Sequence, residues 1–146
     1  MSDSNQSRSG GTASTRPSLV AVGIDLVGVD EVQSALADFG DQYLSRVFTD
    51  HEVACVTCGG DVSARHLATR FAAKEAAMKA LGPSDRLPAW RSIEVHQAEG
   101  GRFTLRLSGH AAELARRAHV SDFTLSMSQE GSLAAAVVFA LGRSES

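Results

Sequence analysis

Hydrophobic and polar positions recur with two periods along this chain, and the changes of period divide it into elements. Residues 19–26, LVAVGIDL, alternate as a strand does: Val20, Val22, Ile24 and Leu26 share one face, and Ala21, Gly23 and Asp25 share the other. Small residues on that second face admit another backbone or a ligand, and Asp25 ends the row as a cap residue or a metal ligand. Val29, Val32, Leu36 and Phe39 recur at helical spacing, predicting a helix over about 30–39 with Asp30, Glu31 and Asp38 outward. Thr49-Asp50-His51-Glu52 has the form of a capping box. It predicts a short helix from Asp50 to about Cys58, stopped by Gly59-Gly60, after which Asp61 stands where it could cap the next helix.

The longest helical pattern covers residues 67–81, LATRFAAKEAAMKAL, with no Gly or Pro before Gly82-Pro83. At about 100° per residue, Leu67, Phe71, Met78 and Leu81 fall in one apolar stripe. Lys74 falls inside that stripe and must snorkel out or find a negative partner. Glu75 and Lys79 flank one edge at i and i+4, and Arg70 flanks the other. The side expected to face water holds Ala72, Ala76 and Ala80, so charge crowds the side expected to be buried. Taken as periodicity alone, this also fits an ordinary surface pair beside a snorkelling lysine.

Further along, 93–97 and 102–107 alternate and read as a hairpin joined through 98–101, with Phe103, Leu105 and Leu107 inward. Ser108 is placed to cap a helix over 109–119. Residues 123–128 alternate again, 129–131 read as a turn, and 133–141 read as a buried apolar strand. The predicted fold class is α+β: an antiparallel sheet with helices on one side.

Composition narrows the picture. At 146 residues, 43% hydrophobic and 21% charged, the chain reads as one globular domain. A net charge of −3 leaves no basic footprint for nucleic acid. No apolar run reaches membrane-span length and the first residues lack a signal-peptide core, so a cytoplasmic protein is expected. Residues 1–18 are mostly Ser, Thr, Gly, Asn, Gln and Asp, predicting a disordered tail before a folded domain over 19–142 and a short tail over 143–146. Cys55 and Cys58 read as two reduced helix cysteines or, with His51 and His66, as a zinc site without a second ligand pair at the usual spacing.

RFAAKEAAMKALG at 70–82 and GID at 23–25 resemble the signature of the holo-acyl-carrier-protein synthases, the short class of 4′-phosphopantetheinyl transferases. VFTDHE at 47–52 and the closing SMSQEG…AAAVV support the likeness, which runs from about residue 22 to 141. It implies transfer of the phosphopantetheine arm of coenzyme A to a serine of an apo acyl carrier protein, serving fatty-acid or polyketide synthesis, by a homotrimer holding coenzyme A between subunits. It also implies Mg²⁺ on Asp25 and Glu75, catalytic roles for Glu75 and Lys79, and coenzyme A contacts from Arg70, Lys74, Lys79 and Gln129. The residues suit that chemistry. Mg²⁺ takes one or two carboxylates plus phosphate oxygens and waters, a lysine one turn from Glu75 can neutralise a pyrophosphate, and a guanidinium fork matches a terminal phosphate.

Two positions depart from the pattern. Gln129 stands where the family commonly has histidine, and an amide can donate to phosphate but cannot carry a proton near neutral pH. Asp30 and Glu31 are acidic where relatives carry bases, with Arg46 still basic, which predicts a carrier less acidic at its docking helix. Two rival readings stay open: a coenzyme A- or carrier-binding protein with weakened transfer, and a small zinc-binding module on Cys55 and Cys58.

Overall fold

The computed structural model describes residues 16–144. Most of the expected N-terminal tail lies outside the described residues, but the first strand already includes Pro17 and Ser18, before the expected start at 19. There β1 (Pro17–Gly28) opens with Pro17 and Ser18 opposite Arg143 and Gly142. It is followed by α1 (Val29–Phe39), α2 (Asp41–Val47) and α3 (Asp50–Val56), then by a minimal hairpin of β2 (Thr57–Cys58) and β3 (Asp61–Val62). Next come α4 (Ala64–Leu81), the hairpin of β4 (Ile93–Gln97) and β5 (Phe103–Leu107), α5 (Gly109–Arg117), β6 (Asp122–Glu130) and β7 (Leu133–Arg143). The α+β expectation holds. The main sheet is antiparallel in the order β1-β7-β6, and α4 lies across its inner face.

The approach of α4 to the sheet is set by missing atoms. On β1 and β7 the inward pairs are Gly23 with Val138, Asp25 with Ala136 and Val27 with Ala134. Against this shallow layer α4 sets Ala72, Ala73, Ala76 and Ala77, all fully buried. A Cβ on Gly23 would stand 1.8 Å from the Ala76 carbonyl oxygen, so only glycine permits this crossing. The alanine face expected to meet water is thus the face packed on the sheet, and Phe71 on the supposed core stripe is only half-buried. A helix enclosed on nearly every side has no polar face for periodicity to find.

Several boundaries move for local reasons. Ser63 caps α4 through the His66 N–H, at 3.3 Å, while Asp61 pairs in the minimal hairpin. Gly82 ends α4 in the left-handed conformation, φ +56°, returning its N–H to Met78. The Thr49–Glu52 capping box forms in both directions, but α3 stops at Val56, leaving Cys58 on the hairpin rather than on a helix. Ser108 occupies the cap position of α5 without a side-chain bond, and α5 closes at Arg117. Gln129 and Glu130 belong to β6, paired with Ala134 and Leu133, rather than to the turn. Phe39, expected inside, is exposed.

The outer face of the sheet is apolar. Val22, Ile24 and Leu26 stand opposite Phe139, Val137 and Ala135, and all but the last two are exposed. A bulge between Leu19 and Ala21 turns both Leu19 and Val20 outward as well. No helix among the described residues is long and apolar enough to cross a membrane.

Candidate active site

Asp25 leaves β1 on the inward, small-residue face, and Glu75 and Lys79 leave α4 one turn apart beside it. Lys79 Nζ donates to Asp25 Oδ1 at 2.9 Å and to the Ile24 carbonyl at 3.0 Å. Burial and then the Asp25 charge push the Glu75 carboxyl above its ordinary value, and Lys79 pulls it partly back. The two carboxylates therefore repel each other. One lysine charge does not offset both. That donor set, two acid groups with surplus negative charge at a half-exposed edge, fits a hard cation completed by phosphate oxygens and water.

Lys74 does not join this group. Its side chain is fully buried, with Nζ 2.6 Å from Glu52 Oε1, 3.1 Å from the Trp90 carbonyl and 2.5 Å from the Ile93 carbonyl. Three partners use all three ammonium donors, leaving none for a phosphate. The expected coenzyme A contact at Lys74 is thus replaced by a core ion pair. Glu52, which the sequence reading placed only in a capping box, is the centre of this junction. It accepts from Thr49 N at 2.9 Å through Oε1 and from Val95 N at 2.9 Å through Oε2. The signal available beforehand was an unpaired lysine on a buried stripe, which demands a carboxylate somewhere; its sequence position was not readable.

Arg70 and Gln129 also stand apart from the carboxylate pair. Arg70 is five residues before Glu75 and nine before Lys79, so it points about 140° and about 180° away from them around the helix. Its guanidinium lies over the Phe103 ring, 5.5 Å from the centroid. Burial lowers its pKa, while the nearby Cys55 and Glu52 charges raise it. Gln129 on β6 accepts from Arg65 Nε at 3.3 Å, at the opposite end of α4 from Lys79. Ten residues separate Arg65 from Glu75, about 15 Å along the helix. Within one chain, then, Asp25, Glu75 and Lys79 converge, and Arg70, Gln129 and Lys74 each lie elsewhere.

A model of the 4′-phosphopantetheinyl transferase superfamily matches residues 21–138. A holo-[acyl-carrier-protein] synthase of Desulforudis audaxviator is 39% identical over 129 residues, covering 88% of this chain and 97% of the relative. Among solved structures, the holo-[acyl-carrier-protein] synthase of Neisseria meningitidis superposes with a TM-score of 0.74 at 27% identity, over 84% of this chain and 98% of that one. An ACPS–CoA complex from Chronobacterium ammoniagenes does so with a TM-score of 0.69 at 31% identity, over 86% and 98%.

Proposed function

The chain belongs to the 4′-phosphopantetheinyl transferase superfamily, and we propose that it moves the 4′-phosphopantetheine arm of coenzyme A onto a serine of an apo acyl carrier protein. The observation that carries this reading is the meeting of Asp25, Glu75 and Lys79 at one edge of the sheet. Asp25 and Glu75 would hold Mg²⁺, which when bound supplies positive charge to the pyrophosphate and its departing half. Lys79 adds its own charge to the same oxygens. The carrier serine Oγ attacks the phosphorus that bears the pantetheine arm, and the bond to adenosine 3′,5′-bisphosphate breaks as the leaving oxygen takes the electron pair. Glu75, whose carboxyl is held above its ordinary value by burial and the Asp25 charge, or a water beside it would accept the serine proton. Coenzyme A, Mg²⁺ and an apo carrier incubated with the protein should add one phosphopantetheine to the carrier by mass. No mass gain with any carrier would leave only a binding role.

We place Arg70 at the 3′-phosphate and Gln129 at a phosphate oxygen, contacts that need a second copy of the chain. The scatter of Arg70, Gln129 and the carboxylate pair over different sides of one subunit supports this, as does the exposed apolar outer face of β1 and β7. A homotrimer is the expected assembly, and light scattering that returns a monomer at micromolar concentration would overturn it. Asp30 and Glu31 are exposed on the first turn of α1 and favour a carrier less acidic than usual at its docking helix. Rates across carriers of graded acidity at low salt test that preference, and equal rates would remove it.

A further inference from the structure

The inward row of β6 runs apolar through Phe123, Leu125 and Met127 and turns polar at Gln129. There the strand meets the first turn of α4, where Arg65 Nε donates to Gln129 Oε1 at 3.3 Å across 64 residues of sequence. The chemistry of the two groups settles which way the amide points. A carboxamide has an accepting end and a donating end, whereas a guanidinium only donates. The oxygen of Gln129 must therefore face Arg65, and its amino group turns away with both N–H donors. An amide turned over would lose this bond and set its oxygen against any anion bound there.

Arg65 has charge left over. Its contact with Gln129 uses Nε and leaves N–H groups on both terminal nitrogens. Among the described residues, no carboxylate forms an ion pair with it. It also sits in the first turn of α4, which holds no acidic residue, and the helix dipole disfavours a cation there. An anion at this edge would offset both. We propose that Arg65 is a positioning residue for phosphate binding: it holds the Gln129 amide with its amino group toward a phosphate of coenzyme A. This role deepens the reading of Gln129 as a phosphate contact, on which it rests.

The same chemistry ranks the substitutions. Arg65→Lys keeps a group that donates and never accepts, so the amide is held the same way, though without the planar fork. Arg65→Ala frees the amide to turn over. Gln129→Glu removes the donors altogether, closes on Arg65 as an ion pair and repels a phosphate. Arg65 is exposed, so its replacement empties no packed site.

Calorimetric titration of coenzyme A into the full-length protein, with no carrier present, tests the assignment. Arg65→Ala should raise Kd about tenfold, the worth of one hydrogen bond to a charged group, and Arg65→Lys should recover most of that loss. Gln129→Glu should weaken binding more than Gln129→Ala does. Because Arg65 acts through Gln129, Arg65→Ala and Gln129→Ala together should cost clearly less than the product of their separate effects. Arg117→Ala, the same change of charge on α5, should bind as the unaltered chain does. In turnover, KM for coenzyme A should rise with Kd in Arg65→Ala while kcat stays within about twofold. An unchanged Kd in Arg65→Ala overturns the role, as do effects that multiply or a lysine that restores nothing. An unaltered chain that binds coenzyme A but modifies no carrier removes the transfer reading alone, and one that binds no coenzyme A removes both.

Discussion

Lys74 and Lys79 lie five residues apart on one helix, each paired with a carboxylate, and they do opposite things. The Lys74–Glu52 pair is wholly out of water, while in the Lys79–Asp25 pair the side chains are 57% and 16% exposed. Every donor on Lys74 is taken by the protein; Lys79 spends its donors on Asp25 and one strand carbonyl and keeps its solvent side open. The first pair joins α3, α4 and β4 into one body. The second stays partly open to water at the candidate site. The same residue types thus form a core tie or a solvent-facing pair according to what surrounds them.

The contrast breaks most visibly in stability. Lys74→Met leaves Glu52 charged and buried, so it should cost about 3–5 kcal/mol by denaturant unfolding. Lys79→Met should cost under about 1 kcal/mol, because an exposed pair is worth little. Adding Glu52→Gln to Lys74→Met should recover part of the loss, since an amide leaves no orphaned charge. Equal costs for the two lysines would end the distinction.

In activity the order reverses. Asp25→Ala and Glu75→Ala should each lower Mg²⁺-dependent turnover by about 10²–10⁴ while the assembly stays intact and its melting does not fall. Near-normal turnover at limiting Mg²⁺ in either variant would show that the metal binds elsewhere.

A smaller effect concerns pH. A carboxyl whose folded pKa is raised holds its proton more tightly in the folded state. Glu75 therefore favours the fold most below its ordinary value of 4.5, and that contribution disappears as pH rises through the raised value. Glu75→Gln should accordingly melt higher than the unaltered chain at neutral pH without metal, and the two should converge in acid. Parallel Tm curves across that range would mean that neither burial nor the Asp25 charge raises the Glu75 carboxyl.

The smallest expected change is at Gln129. Its amide accepts from Arg65 and retains N–H groups for a phosphate oxygen. Gln129→His should change the transfer rate by less than about tenfold, near 1.4 kcal/mol, with no new limb in the pH profile at the histidine pKa. A far larger gain would make the natural chain a weakened transferase.

What the sequence disclosed follows from how local each signal is. The strands, the capping box at Thr49 and the hairpin at 93–107 depend on near neighbours, and each formed with small shifts of boundary. The α4 burial pattern was misread because alanines signal a surface only when larger residues do the packing. Here the partner is a glycine strand, and short side chains are what fit. Glu52 was legible as a cap but not as the partner of Lys74, since a salt bridge across 22 residues leaves no periodic trace. Asp25, Glu75 and Lys79 could be named from the family resemblance and Arg70 placed on the other edge from helical spacing, whereas its stacking on Phe103 emerges only in the folded chain.

Gly23 makes the most austere contribution to this protein, a hydrogen where other residues carry carbon. The approach of β1, which carries Asp25, to α4, which carries Glu75, is limited by main chain resting on main chain, which repacking of side chains does not change. Mutational tolerance around the site is therefore inverted. The charged residues of the candidate site can take isosteres without a backbone clash, while Gly23, with no functional group at all, admits no substitute.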